Sequence, residues 1–178
     1  MAVLKGQGHD AMTEDVAYFF QNMVQIPVGI YNGICSLIKS GGGVGTHYMH
    51  DNLRQAFLIG YALCENEVVG TSTHKIPKPD YRRKIETATG LDLEGFLERG
   101  YTAVRSDFRG KGIGGALIRG LIENSPDQWI YVTIRMDNTP ALKMTYKEQM
   151  IHAATFINDR TGHELGVFTN VRPKGIKD

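Results

Sequence analysis

The chain has 178 residues, 42% hydrophobic, 22% charged and 9% aromatic, which is the profile of a soluble globule rather than a disordered tail. Lys and Arg number 20 against 19 Asp and Glu, a formal net charge of +1, and this balance excludes a bulk electrostatic nucleic-acid binder. Glycine is in excess, at 21 residues, against a usual share of about 7%; no Gly-X-Y period runs through the chain, so collagen is excluded too.

The N-terminal residues Met1 to Gly6 lack the apolar run and small-residue cleavage site of a signal peptide. The longest apolar stretch, Val24 to Ile38, is interrupted by Gln25, Pro27, Asn32 and Ser36. It falls short of the ~20 residues of a membrane span, so a cytoplasmic protein without a membrane partner is expected. Thr13-Glu14-Asp15 reads as a helix start, with Val16, Phe19, Phe20 and Met23 at helical spacing and Pro27 as the limit. Gly29 to Ile38 reads as a second apolar helix, and Ser40 to Thr46 as a glycine loop lacking the Gly-Lys-Ser/Thr of a triphosphate loop. Cys35 and Cys64 sit in apolar surroundings and read as buried reduced thiols. His47 and His50 could share a helical face, but no third ligand accompanies them and no metal is expected.

From Ala56 the period becomes that of strands. Ala56 to Cys64 and Val68 to Thr73, joined through Glu65-Asn66-Glu67, read as an antiparallel hairpin. Residues 76–98 read as an insertion with one or two short helices, basic in its first half and acidic in its second. A solvated face and a lid are both open for it. Arg82, Arg83 and Lys84 have no aromatic stacking series beside them, so no nucleic-acid partner is expected. Tyr101 to Val104 is a short strand, and Arg109 to Gly115 a second glycine cluster. A helix follows with Ile113, Ala116, Leu117, Leu121 and Ile122 in one stripe, stopped by Asn124-Ser125-Pro126. Trp129 to Ile134 is the strongest strand pattern in the chain. Asn138-Thr139-Pro140 opens another helix, and Ala153 to Ile157 with Leu165 to Thr169 form a closing hairpin. Strands alternating with a few helices predict an α/β domain with a mixed sheet.

The second glycine cluster carries chemistry. Where a strand ends in a glycine turn that opens a helix, the first helical amides lack acceptors and the aligned peptide dipoles leave positive charge. Gly110, Gly112 and Gly114 let the backbone approach an anion, and Arg109 and Lys111 add formal charge. Such a site suits a phosphate or pyrophosphate; a bare tight turn is the alternative. The dinucleotide fingerprint does not fit, because these glycines recur at every second residue.

The arrangement resembles the GNAT superfamily of acyl-CoA-dependent N-acetyltransferases, whose Arg/Gln-X-X-Gly-X-Gly/Ala follows the fourth strand. Arg109-Gly110-Lys111-Gly112-Ile113-Gly114 matches every fixed position, and Val104 matches the hydrophobic residue five places earlier. The family's next block is matched by Ile130 to Ile134, Asn138, Ala141 and Tyr146. The resemblance covers about residues 100–150 and extends to 56–75 and 153–170, but not to the first 50.

It implies a single domain over 1–178: a mostly antiparallel central sheet flanked by helices, with an extended helical region at 12–55, the insertion at 76–98 and an acetyl-CoA-binding core at 100–150. Acetyl-CoA is then the co-substrate, with no metal. Backbone groups of Ala103 and Val104 would pair with the pantetheine arm. Amides of Arg109, Gly110, Lys111, Gly112, Ile113, Gly114 and Gly115 would hold the CoA pyrophosphate. Asn138 would contact the CoA chain where two neighbouring strands splay apart. Tyr146 would protonate the departing thiolate, although the family commonly has its Tyr seven residues after the Asn, where this chain has Thr145, and Gln149-Met150-Ile151 replaces a terminal Gly-Phe. Packing of Tyr146 on the sheet is its other reading. Glu98, eleven residues before Arg109, occupies the position of the family's general base, with Glu94 in reserve. The alternative for Glu98 is a solvent-exposed end of the insertion, paired with Arg99. The resemblance implies acetyl transfer to a primary amine of a small molecule or peptide by direct attack, with a CoA-binding sensor that has lost catalysis as the other reading. It leaves the acceptor unnamed and a homodimer open.

Overall fold

A computed structural model describes residues 15–41 and 46–176. In chain order the elements are β1 (Ala17–Gln21), α1 (Val28–Ser40), α2 (Met49–Arg54), β2 (Ala56–Cys64), β3 (Glu67–Lys75), α3 (Pro79–Thr89) and β4 (Leu97–Val104), then α4 (Ile113–Glu123), β5 (Ile130–Arg135), α5 (Thr139–Lys147), β6 (Ile151–Ile157) and β7 (Glu164–Thr169). The strands form one sheet in the order β1-β2-β3-β4-β5-β7-β6. The pairs β1–β2, β2–β3, β5–β7 and β6–β7 are antiparallel, and β4–β5 is parallel. This is the mixed sheet that the sequence pattern predicts, mostly antiparallel and flanked by helices as the family resemblance implies. No helix among the described residues is long and apolar enough to cross a membrane.

The chain divides into two compact units, one of residues 1–75 and 100–126, the other of residues 76–99 and 127–178. Strand β4 passes from the second into the first after Arg99. In the first unit, β2 and β3 are joined by Glu65 and Asn66, both at positive φ (49° and 67°). Two left-handed residues in succession give the turn that matches the twist of paired strands. Period-two alternation sends Ile59 and Tyr61 to one face, where they pack with Ile34 and Ile38 of α1. It sends Ala62 and Cys64 to the other, where they meet Ile113 and Leu117 of α4. Close approach accounts for part of the glycine excess: a Cβ on Gly70 would lie 2.7 Å from the Ile113 side chain, and one on Gly120 would collide with the Phe20 ring.

The sequence expectation fails at the start of the described chain. The helix read from Thr13 through Met23 is β1, paired in register from Ala17↔Leu63 to Gln21↔Ile59; residues 13 and 14 lie outside the described residues. Two adjacent aromatics suit a pleated surface, and Phe19 stacks on Tyr61 at 5.2 Å between centroids. The spacing of Val16, Phe19, Phe20 and Met23 fitted a helix, but cross-strand pairing overrides it. Among the described residues, region 12–55 holds one strand and the helices α1 and α2, with a short 3-10 turn at Met23–Gln25 between β1 and α1. The second expected helix is observed as α1. The first glycine loop lies partly outside the described residues.

In the second unit, β5 pairs with the start of β4 at Leu97↔Ile130 and Glu98↔Tyr131, and with β7. On one face α3 packs through Ile85 against Leu91, Leu93, Phe96, Tyr131 and Val167. On the other, α5 covers Leu97, Val132, Ile134 and Phe168 through Ala141 and Leu142. Each large aliphatic residue so enclosed contributes about 1.5–3 kcal/mol. The insertion contains one helix, α3, and its end is strand: β4 begins at Leu97, four residues before the predicted Tyr101. Glu98, Arg99 and Gly100 hide this start, since they break the apolar alternation.

Candidate functional site

In the first unit the chain leaves β4 through Ala103 and Val104, both half-buried. The amide of Arg105 donates to the Val69 carbonyl of β3 at 2.9 Å. The Arg105 guanidinium then holds Glu67 at 2.7 Å and Asp107 at 2.8 Å, and lies 4.6 Å over the Phe108 ring. The hydrogen bond from Arg105 keeps the Asp107 carboxyl below the usual carboxylate range. Lys111 covers the same ring at 4.4 Å. A strand end, an ion-pair clamp and a cation-flanked aromatic thus fix the chain just before the turn.

Two of the three glycines named from the sequence give the turn its conformation. Gly110 and Gly112 sit at φ 77° and 80°, in the left-handed region where a side chain costs about 1–2 kcal/mol. Gly112 is the residue before α4, and no side chain caps the helix there. The opening amides of Ile113, Gly114 and Gly115 are those that an α-helix leaves without intrahelical acceptors. A Cβ built on Gly110, Gly112 or Gly115 meets nothing within 4 Å, whereas Ile113 and Gly114 are buried. The Arg109 side chain turns back, its Nε donating to the Val104 carbonyl at 3.2 Å. One of the two backbone groups expected to meet a pantetheine arm therefore already accepts one hydrogen bond, with a second lone pair remaining.

Strand β4 is irregular just upstream. Tyr101 is 3% exposed and has φ 51°, an outlier for a bulky residue. Its hydroxyl accepts from Asn52 Nδ2 at 2.7 Å, and Lys75 lies 5.4 Å over its ring. Such strain persists where the surroundings over-determine it. Elsewhere in this unit, His50 Nδ1 lies 2.9 Å from the Tyr31 hydroxyl and 3.8 Å from Cys35 Sγ. Burial pushes the Tyr31 phenol up to about 12 and raises the Cys35 thiol. Both cysteines are buried, and neither is in a disulfide.

The remaining predicted site residues lie in the second unit. Asn138 caps α5, its Oδ1 accepting from the Ala141 amide at 3.2 Å. That cap leaves the Asn138 amide nitrogen outside it. Tyr146 is 51% exposed and stands edge-on to Phe168, at 5.4 Å and 88°. Thr145, at the place where the resemblance puts a tyrosine, is fully buried. At the helix end Gln149 takes φ 57°, the left-handed conformation that a glycine adopts without strain, and Met150 is buried in the place of the family's Phe.

Glu98 and Arg99 do not pair with each other in solvent. They project to opposite faces of β4 and are both buried, at 7% and 4% exposure. Arg99 Nη2 donates to Thr145 Oγ1 at 2.7 Å, and Nη1 to Met150 Sδ at 3.1 Å. Burial pushes its guanidinium down to about 10, with Glu148 opposing the shift, so it stays charged at neutral pH. Glu98 faces Tyr131, its register partner on β5; burial and then the Glu98 charge hold that phenol far above the usual range. The reserve residue, Glu94, is an exposed partner of Arg82. Sequence reasoning missed Arg99, Tyr81 and Tyr131 as partners of this region. A charged pair between Leu97 and Gly100, just before the strand predicted at Tyr101, was the available signal.

The family model described as "Acetyltransferase (GNAT) family" matches residues 42–149. No curated protein matches the sequence. Among solved structures, the fold is similar to that of Arabidopsis thaliana NAA60 in complex with acetyl-CoA, at TM-score 0.64 and 13% identity over 85% of this chain and 98% of that one. It is similar to an acyl-CoA N-acyltransferase from Pseudomonas aeruginosa, at TM-score 0.64 and 11% identity over 88% of this chain and 100% of that one. It is also similar to the ribosomal-protein-S18-alanine N-acetyltransferase from Escherichia coli, at TM-score 0.63 and 9% identity over 90% and 96%. At these identities the structures share a fold, while the family match spans more than half of the chain and includes the glycine turn. The chain belongs to the GNAT acetyltransferase family.

Proposed function

We propose that this protein is an N-acetyltransferase using acetyl-CoA as co-substrate and a primary amine of a small molecule or peptide as acceptor. The observation that carries the reading is the glycine turn. Two left-handed glycines with open space at their Cβ positions lead into the first turn of α4, which no side chain caps, beside Arg109 and Lys111. That donor set fits a pyrophosphate, because N–H groups and the helix dipole both favour negative charge. The acetyl-CoA bound to the Arabidopsis NAA60 structure supports the same choice of ligand.

In this reading the amides from Arg109 to Gly115 hold the pyrophosphate, and the backbone of Ala103 and Val104 pairs with the pantetheine arm. Asn138 donates its amide nitrogen to the CoA chain. Glu98 takes a proton from the acceptor ammonium, directly or through water, because only the neutral amine has a lone pair to form the C–N bond. As the C–S bond breaks, Tyr146 gives its phenolic proton to the departing thiolate; the nitrogen's second proton then restores the phenol, and Glu98 releases the first to solvent. The products are an amide, free CoA and one proton. No covalent enzyme intermediate is invoked, since both cysteines are buried and burial raises the Cys35 thiol.

Calorimetry with acetyl-CoA and CoA tests the ligand; absence of binding at millimolar concentration overturns the reading. Thiol release with a panel of primary amines tests the transfer, and binding without turnover across the panel favours the CoA-binding sensor instead. For Tyr146, Y146F is expected to lower kcat by about a hundredfold with CoA affinity unchanged. An unchanged kcat removes its role as the acid.

A further inference from the structure

The helix inserted between β3 and β4 reaches inward. Tyr81, on its first turn, packs against the buried cluster that contains Ile85, Phe96, Tyr131 and Val167. Its hydroxyl lies 3.1 Å from Thr133 Oγ1 on β5. Thr133 is two residues from Tyr131, so both point to the same face of the sheet. Tyr131 is in turn the register partner of Glu98, which places Glu98 on that face as well. One carboxylate and three hydroxyl-bearing side chains therefore share a small area of sheet beneath α3. Burying a carboxylate is costly unless hydroxyls or amides replace its water.

We propose that Tyr81 is a positioning residue for Glu98: with Tyr131 and Thr133 it supplies the hydroxyl surroundings that hold the buried carboxylate in place, which makes the inserted helix part of the catalytic apparatus. This rests on the reading of Glu98 as the base. The electrostatics of the two phenols agree with the geometry. Burial first, and the Glu98 charge as a further cause, raise the Tyr81 phenol; the same two causes raise that of Tyr131. Both stay protonated at neutral pH and can donate. The cations around the cluster are Arg160, which acts on Tyr81, and Arg82, which acts on Tyr131 and is itself bridged to Glu86 and Glu94. Among these four side chains, Glu98 and Tyr131 are buried while Tyr81 and Thr133 are half-buried, so the hydroxyl shell runs outward from the carboxylate.

The test combines a spectroscopic arm with a kinetic one. In protein labelled at tyrosine 13Cζ, with the Tyr81 resonance assigned by its loss in Y81F, the E98Q variant should titrate Tyr81 at lower pH than the wild type. The removed negative charge is what opposes phenolate formation. An unmoved Tyr81 midpoint overturns the proposal whether or not the enzyme turns over. In the kinetic arm, acetyl-CoA is offered with a diamine, an aminoglycoside and peptides with free N-termini. Y81F should lower kcat by about tenfold with the acetyl-CoA Kd within twofold, and T133V should act in the same direction while T133S restores activity. E98Q should lower kcat by about a hundredfold or more. Full activity in E98Q, or no turnover by the wild type, overturns the base reading itself. An inactive E98Q beside a Y81F with unchanged kcat overturns only the role of Tyr81.

Discussion

The glycine turn at Arg109 to Gly115 and the buried polar set around Glu98 and Arg99 lie a dozen residues apart in sequence yet are built in opposite ways. The turn is local, and Arg109 to Gly112 are exposed. Its conformation comes from two residues that tolerate φ near 80°, and its donors are backbone amides that any helix start provides. The polar set is non-local and enclosed. Arg99 reaches Thr145, 46 residues away, and Tyr81 reaches Thr133, 52 away. The first arrangement can be moved between proteins as a short segment; the second exists only when its strands and helices are assembled.

Substitutions can break the contrast. The largest stability effect is expected at Arg99: R99A should lower unfolding free energy by about 3 kcal/mol, because it removes a charged donor from buried Thr145 and leaves a cavity. Urea denaturation checks this, with acetyl-CoA Kd within threefold of the wild type. A loss below about 0.5 kcal/mol would show that the buried guanidinium holds nothing. G112A comes next and should behave in the opposite sense. Its strain costs only about 1–2 kcal/mol, while calorimetry should show acetyl-CoA affinity falling about tenfold as a methyl enters the space before the helix amides. Equal affinity for both proteins would mean that the turn is only a turn. The smallest effect is a gain: Q149G relieves a left-handed glutamine after α5 and should stabilise the fold by about 0.5–1 kcal/mol without changing acetyl-CoA affinity.

The same contrast governs what could be read from the chain. The hairpin β2–β3, the helices α1, α4 and α5, the strand β5 and the closing hairpin are all legible, because each carries its own periodicity and stop signals. Strand β1 is not legible, because Val16, Phe19, Phe20 and Met23 satisfy a helical spacing and only its pairing with β2 decides otherwise. The start of β4 is hidden in the sequence, because Glu98 and Arg99 carry the charge of loop residues although both are buried.

The excess of glycine divides along this line. Sequence alone determined that Gly110 and Gly112 open a helix behind a strand, since backbone freedom and helix-end amides are local properties. Tertiary structure decided that Gly70 and Gly120 serve the approach of Ile113 and Phe20, that Thr145 faces inward on Arg99 while Tyr146 stays half-exposed, and that a charged dipeptide is interior. Those facts depend on which distant residue arrives beside each position, and a charged or hydroxyl side chain is enclosed only where its partner arrives with it.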